Sequence, residues 1–110
     1  MSREVVIVGG GAAGMFAAVR AAELNPDLRV TVLEKGRDLL QKVTISGGGR
    51  CNVTHDCRDP RDLVTHYPRG ARELRGPLTR FGPQEMIDWL TARGVRLKTE
   101  ADGRMFPVTD

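Results

Sequence analysis

The sequence predicts an α/β domain whose first part is a β-α-β unit. The residues Val5, Val6, Ile7 and Val8 form a short, continuous β-branched run, which is typical of a parallel strand buried on both faces. Apolar residues then recur at three- and four-residue intervals as far as Leu24, and this is the pattern of an amphipathic helix. The stretch "LRVTVLE" predicts a second strand, so a right-handed crossover should join the two strands.

The composition limits the chain to one small core. Of its 110 residues, 40% are hydrophobic and 28% are charged, a balance typical of globular proteins. The net charge is +3, but the few aromatic residues do not suit a groove for single-stranded nucleic acid, so we expect no such partner. The longest aliphatic run, Val5 to Val8, is too short for a bilayer and follows no leader pattern. We therefore expect no membrane association and a cytoplasmic location.

A glycine cluster, "GGGAAG", lies between the first strand and the helix. Gly9 suits a tight turn, Gly11 permits close backbone approach to a pyrophosphate, and Gly14 permits close packing of the helix on the strand. The N–H groups at the start of the helix, around Ala12 and Ala13, favour phosphate oxygens. A glycine-rich turn that merely packs is the alternative. The position between a strand and a helix favours a Rossmann-like dinucleotide site.

Glu34 ends the second predicted strand, where a carboxylate can accept hydrogen bonds from the hydroxyls of an adenosine ribose. A carboxylate repels a 2′-phosphate, so NADP is disfavoured at this site, although Lys35 and Arg37 lie nearby. FAD and NAD both carry a free adenosine ribose, and these residues do not separate them.

A second glycine block, "TISGGGRCN", follows at residues 44–52. The chain between Glu34 and Ser46 can reach up to about 40 Å when extended, which is enough to run the length of a dinucleotide. Three successive glycines would permit close backbone approach to a cofactor. We therefore predict a second glycine-rich cofactor loop over residues 42–54, and the alternative is a flexible surface turn.

The last third of the chain is predicted to be structural. The stretch "FGPQEMIDWLTARGV" predicts a helix with Pro83 in its first turn and Gly94 as its stop. The stretch "VRLKTEADGRMFPV" predicts a hairpin that turns at Asp102 and Gly103. The helix and hairpin together occupy residues 83–108.

Four blocks resemble a known family: "GGGAAG", "VTVLEKG", "KVTISGGGRCNVT" and "GRMFPVTD". They look like the N-terminal region of the BaiN/aminoacetone-oxidase-like FAD-dependent oxidoreductases, the HI-type flavoproteins. The block "SGGGRCN" is the most specific, because a generic Rossmann domain carries nothing like it. The resemblance covers essentially the whole chain, whereas family members are far longer. It implies that residues 1–110 are the incomplete N-terminal part of a FAD/NAD(P)-binding domain, with the β-α-β unit at about 4–35 and the hairpin leading toward a missing substrate domain.

The resemblance implies FAD as the cofactor, NAD(P)H as a candidate electron donor, and a small-molecule substrate. The first glycine loop would hold the pyrophosphate, Glu34 the ribose, and Lys35 would flank the adenine. The second block would lie along the ribityl chain and the isoalloxazine ring. The implied site comprises Gly9, Gly11, Ala12, Ala13, Gly14, Glu34, Lys35, Lys42, Ser46, Gly47, Gly48, Gly49, Arg50, Cys51 and Asn52, the last three nearest the flavin. His55 stands where an Asn is expected and receives no role, and no catalytic residue is assigned.

Two other functions stay open. Two parallel strands normally belong to a larger sheet, so a truncated nucleotide-binding module without catalysis is one alternative, and the incomplete sheet also makes self-association an expectation. A disulfide reductase-like enzyme would use Cys51 and Cys57, but five residues intervene here and four in those enzymes. A metal site at Cys51, His55 and Cys57 lacks a fourth ligand, so we expect no metal and two reduced cysteines.

Overall fold

The structure is a computed structural model, and it describes residues 3–109. Met1, Ser2 and Asp110, which belong to the predicted domain of residues 1–110, lie outside the described residues. The chain divides into two compact units, Met1–Gly49 (unit 1) and Arg50–Asp110 (unit 2). No helix among the described residues is both long and apolar enough to cross a membrane.

Unit 1 contains the predicted β-α-β arrangement. Its elements are β1 (Glu4–Val8), α1 (Ala12–Leu24), β2 (Arg29–Leu33) and α2 (Gln41–Gly49). The two strands pair in parallel, from Glu4 opposite Arg29 to Val8 opposite Leu33. Helix α1 ends at Leu24, as its apolar periodicity predicts, and Asn25 takes an extended conformation directly after it. The β-α-β unit predicted for residues 4–35 is therefore confirmed.

Two glycines bring α1 close to β1. Gly9 turns the chain after β1 with a φ of 102°, a left-handed conformation that favours glycine. At Gly14 an added Cβ would lie 1.9 Å from the carbonyl oxygen of Gly9 and 3.3 Å from Cγ2 of Ile7. Only a residue without a side chain fits there, so the conformational roles predicted for Gly9 and Gly14 are confirmed.

The expected burial of β1 on both faces is wrong for the residues described. Val5 and Ile7 are half-buried on the face toward α1, whereas the side chains on the opposite face, Val6 and Val8, are 52% and 84% exposed. Alternate residues of a strand point to opposite faces, and α1 covers one face only. The continuous β-branched run correctly predicts the strand but not the number of layers that cover it.

The predicted loop over residues 42–54 contains regular structure at both ends. Its start belongs to α2, which is helical up to Ile45 and then leaves helical geometry at Ser46, Gly47 and Gly48. Its last residue, Thr54, opens a short strand in unit 2. Glycine composition alone suggested an irregular segment throughout, because the apolar residues before the glycines are too few to show a helical period. The irregular part is therefore shorter than predicted.

Over its described residues, 50–109, unit 2 packs three strands with four helical segments. Strands β3 (Thr54–His55), β4 (Leu97–Thr99) and β5 (Arg104–Pro107) form an antiparallel sheet in the order β3-β5-β4. The helical segments are α3 (Pro60–Leu63), a 3₁₀ turn (Val64–His66), α4 (Ala71–Arg80) and α5 (Pro83–Ala92). The buried side chains of this unit include Leu63, Val64, Met105 and the completely buried Phe106.

The helix and hairpin predicted for residues 83–108 are present as α5, β4 and β5. Gly94 follows α5 with a φ of 84°, and Gly103 has a φ of 90° in the hairpin turn. Helices α3 and α4 were not predicted. Helix α4 contains Gly76 and Pro77, and both residues normally disfavour a helix interior, so its sequence gave no helical indication.

Replacing Gly14 by Ala should destabilise unit 1, because the new methyl group would overlap the Gly9 carbonyl oxygen. We expect the free energy of unfolding to fall by about 1–3 kcal/mol, measured by urea denaturation. Gly11→Ala is the matched control, since a Cβ at Gly11 would meet nothing within 4 Å. It should cost less than about 1 kcal/mol, the scale of an altered helix cap. Equal losses in the two variants would contradict the proposed close packing.

Candidate functional site

The first glycine loop presents an open backbone at the start of α1. Gly11 is the N-cap of α1, and no side chain forms a capping hydrogen bond there. A Cβ added at Gly11 would point into open space, and both Ala12 and Ala13 are exposed. The first turn of α1 contains no acidic residue. The N–H groups and positive dipole end of a helix attract anionic oxygens, so this surface fits a pyrophosphate.

Glu34 lies beside this loop and is bonded to it. Its Oε1 accepts a hydrogen bond from the N–H of Gly10 at 2.9 Å, and its Oε2 accepts one from the N–H of Gly36 at 2.6 Å. These two bonds, that of Gly36 first, hold the pKa of the Glu34 carboxyl below its usual value, because they stabilise the charged form. Each carboxylate oxygen can accept a further bond, so the exposed side chain keeps acceptor capacity for a hydroxyl group.

Gly10 is the residue that the sequence motif missed. It occupies a position that Gly-x-Gly-x-x-Gly leaves free, yet it is buried. Its N–H donates to Glu34, and its carbonyl oxygen accepts the N–H of Leu40 at 2.7 Å. A Cβ at this position would lie 2.4 Å from Cδ2 of Leu39 and 3.3 Å from Cβ of Glu34. The run of three glycines, one more than the motif needs there, is the signal in the sequence.

Helix α2 carries the next predicted site residues. Lys42 is exposed on its first turn, and Lys35 is exposed directly after Glu34. Ser46 is half-buried, and its hydroxyl donates to the Val43 carbonyl at 2.8 Å. The structure thus brings the first glycine loop, Glu34 and α2 together in unit 1.

The second glycine block makes a left-handed turn at the end of α2. Gly47, Gly48 and Gly49 have φ values of 58°, 68° and 89°. A side chain on Gly48 or Gly49 would meet nothing within 4 Å. These two glycines are therefore required by backbone conformation and not by contacts within the chain, and their outer surface is open.

Arg50, Cys51 and Asn52 belong to unit 2, so the division between the units falls inside the predicted cofactor block. The guanidinium of Arg50 forms an ion pair with Glu100 at 2.6 Å and stacks 4.0 Å from the ring centre of Phe106. Cys51 has a positive φ of 65°, which is uncommon outside glycine. The Arg50 side chain is thus held by the β4–β5 hairpin, a contact that the sequence did not indicate.

His55 has a structural position in unit 2. Its Nε2 lies 3.0 Å from the Asp102 carbonyl oxygen, which can only accept, so this nitrogen is the donor of the pair. A Cβ at Gly103 would lie 2.5 Å from Cε1 of the imidazole, so the ring rests on the hairpin turn where only glycine fits. Among the described residues, no group of three or more His, Cys, Asp or Glu side chains is arranged to hold a metal ion.

Unit 2 also contains a cavity of about 310 Å³. Most of its wall is apolar, and Asn52 is the one predicted cofactor residue that lines it. The other lining residues are Val53, Thr54, His55, Leu63, Tyr67, Leu78, Phe81, Gly82, Pro83 and Met86.

The environment of Cys57 does not favour a reactive thiolate. Cys51 and Cys57 are both free thiols. Burial raises the pKa of the Cys57 thiol, and the nearby carboxylates of Asp62, Asp59 and Asp56 raise it further. A raised pKa lowers the thiolate fraction at neutral pH, which argues against Cys57 as the attacking thiol of a disulfide reductase.

Comparisons with known proteins agree with this geometry. The model of a family described as "HI0933-like protein Rossmann domain" matches residues 3–110, which confirms the predicted Rossmann-type fold. A 3-dehydro-bile acid delta(4,6)-reductase of Clostridium scindens is 33% identical over 104 residues, 94% of this chain and 24% of that protein. A ribosomal RNA dihydrouridine synthase of Escherichia coli is 30% identical over 103 residues, again 94% and 24%. A fumarate reductase flavoprotein subunit of Serratia is 36% identical over 63 residues, 57% of this chain and 10% of that protein.

The chain therefore spans about a quarter of the length of the first two relatives. The match to them extends over nearly the whole chain, whereas the match to the fumarate reductase subunit covers just over half of it.

Replacing Glu34 by Gln should lower stability most at neutral pH. The folded-state pKa of Glu34 is lowered, so the stabilisation by its charge is complete above the unfolded value of about 4.3 and is lost as pH falls through the folded value. We expect the difference in urea midpoint between wild type and Glu34→Gln to shrink steadily at acidic pH. Glu4→Gln, at an exposed glutamate of the same unit, is the control. A difference that does not change with pH would refute the charge-dependent bonding.

The raised pKa of Cys57 predicts slow alkylation at neutral pH. In a Cys51→Ser background, the rate of reaction with iodoacetamide should rise with a midpoint above about 8.5, the ordinary cysteine value. Asp62→Asn should lower this midpoint, because it removes the strongest of the nearby negative charges. A midpoint below the ordinary value would restore the disulfide reductase hypothesis.

Proposed function

The chain belongs to the HI0933-like family, the HI-type flavoproteins that its sequence resembles, and on that basis we propose that it is the N-terminal FAD-binding portion of a FAD-dependent oxidoreductase linked to NAD(P)H. The observation that carries the proposal is the uncapped start of α1 beside the Glu34 carboxylate. A surface for phosphate oxygens on the glycine loop therefore lies beside an acceptor for ribose hydroxyls, which matches the adenosine diphosphate half of FAD.

In this proposal the first glycine loop binds the pyrophosphate. Gly11 allows close approach because it has no side chain, and Ala12 and Ala13 offer their backbone N–H groups. Glu34 accepts hydrogen bonds from the ribose with the acceptor capacity that Gly10 and Gly36 leave. Its ionised state at neutral pH, held by the lowered pKa, strengthens those bonds.

The second glycine block serves the flavin half. Lys42 and the left-handed turn at Gly47–Gly49 would lie along the ribityl chain and the ring, with Arg50, Cys51 and Asn52 nearest the flavin. The open surface above Gly48 and Gly49 supports this assignment, because backbone free of side chains can approach a flat ring closely.

FAD, when bound, would supply hydride chemistry between NAD(P)H and a small-molecule acceptor. The residues of this chain bind and orient the cofactor, and none of them is proposed as an acid or base. Two of the relatives are a reductase and the flavoprotein subunit of a reductase, which supports a reductive reaction class for the longer protein.

The first test is whether the protein carries flavin. We expect the purified protein to show the visible absorption of FAD, or to acquire it on reconstitution, and anaerobic NADH or NADPH to bleach it. A protein that binds FAD but is not bleached by either nucleotide would favour the alternative of a binding module without catalysis. A protein that does not bind FAD would overturn the proposal.

Gly48→Asn tests the second glycine block. Asn tolerates a left-handed conformation better than most residues, and its Cβ would meet no atom of the chain, so the fold should persist. We expect FAD to bind at least about tenfold more weakly, because the new side chain occupies space meant for the cofactor. Gly94→Asn is the matched control, since Gly94 has a similar φ of 84° and similar open space but follows α5. Equal FAD affinity in the two variants would remove the block from the site.

A further inference from the structure

We propose that Leu40 is a positioning residue that fixes the start of α2 against the first glycine loop. It thereby sets the position of the second glycine block, at the end of α2, relative to the first loop. The inference concerns a residue outside the predicted site. Its consequence for FAD rests on the proposed function, whereas its structural part does not.

Leu40 has a left-handed backbone with a φ of 56°. This conformation is unfavourable for a leucine, and it persists only where the surrounding structure determines it. Among the described residues, only Leu40 and Cys51 have positive φ without being glycine. The strain at Leu40 therefore needs a cause in its contacts.

The cause lies in the hydrogen bonds on each side of the residue. The Leu40 N–H donates to the Gly10 carbonyl at 2.7 Å, while the Leu40 carbonyl accepts both the N–H and the hydroxyl of Thr44 at 2.9 Å. The first bond attaches the residue to the glycine loop, and the other two begin α2. Because φ and ψ together set the direction of the carbonyl relative to the N–H, the left-handed conformation lets Leu40 form the bond to the loop and the bonds that begin α2.

Gly10 is held from the opposite side by Glu34. The Glu34 carboxylate accepts the Gly10 N–H at 2.9 Å, and Leu39 packs where a Cβ of Gly10 would be. One buried glycine is thus bonded both to the proposed ribose acceptor and to the residue that starts α2. A change in the conformation of Leu40 would move α2 while Glu34 still held the loop.

The structural part is tested by Ala and Gly substitutions at two adjacent positions. Leu40→Gly should unfold about 4 °C above Leu40→Ala, because glycine adopts a left-handed φ without strain. At Leu39, which lacks a positive φ, the order should reverse, since glycine there only adds freedom to the unfolded chain. Because Ala and Gly both lack the leucine side chain, the difference between the two variants at one position reports the backbone conformation and not the loss of side-chain contacts. The same order at both positions would overturn the inference.

The cofactor part is tested with ADP and FAD as probes of the two halves. Leu40→Val should bind FAD at least about tenfold more weakly than wild type, because β-branching disfavours the left-handed conformation. Its affinity for ADP should stay within about threefold of wild type, because in the proposed site only FAD reaches α2. Leu40→Gly should retain both affinities. The backbone amide of residue 40 should exchange its hydrogen faster in Leu40→Val than in Leu40→Gly.

The outcomes separate the inference from the proposed function. If wild type binds neither ligand, the proposed function fails, and the unfolding and exchange comparisons still decide the role of Leu40. If wild type binds FAD and Leu40→Val loses affinity for ADP and for FAD by the same factor, Leu40 supports the fold generally and the proposed positioning role is wrong. If Leu40→Val binds both ligands as wild type does, the inference is also overturned.

Discussion

The hydrogen bonds of the first glycine loop to the chain that follows β2 are the interaction on which unit 1 depends. Gly9 donates to Leu33 at the end of β2, and Gly10 is bonded both to Glu34 and to Leu40. These bonds join the loop to the chain segment that leaves β2 and leads to α2. Because these contacts use backbone atoms of glycine, they leave the outer side of the loop open at Gly11. The same bonding therefore makes the loop rigid and keeps a surface available for a ligand, which is the pre-organisation that tight binding requires.

The parts of the fold that were predicted from sequence depend on local patterns. The period of α1, the spacing from Gly9 to Gly14 and the turn at Gly103 each reflect a requirement within a few residues, so a short stretch of sequence reveals them. The parts that were missed depend on distant contacts. Gly10 is buried by Glu34 and Leu39, which follow β2, and the Gly-x-Gly-x-x-Gly motif leaves its position free. A leucine gives no sign that its φ will be positive, and helix α4 forms despite Gly76 and Pro77.

The residues of the candidate site also divide into features that local sequence patterns predict and features that depend on distant contacts. The role of Glu34 beside the loop was predicted from its distance along the chain, but its two hydrogen bonds to backbone N–H groups were not, since they need the three-dimensional path of residues 34–36. Arg50 shows the limit of transferring a role by resemblance. Its planar guanidinium group stacks on Phe106 and forms an ion pair with Glu100, and both contacts stabilise the hairpin of unit 2. Any contact with a cofactor would be made by a side chain that the hairpin already orients.

The uncovered face of β1 affects the yield of soluble protein and the binding of hydrophobic dyes. Val6 and Val8, with Leu33 on the neighbouring strand, present apolar surface on one side of a two-stranded sheet. Contiguous exposed apolar surface promotes aggregation and binds hydrophobic dyes. The yield of soluble protein during expression should therefore be more sensitive to temperature and to chaperone supply than the modest net charge would suggest, and dye fluorescence will report this face even when the fold is intact.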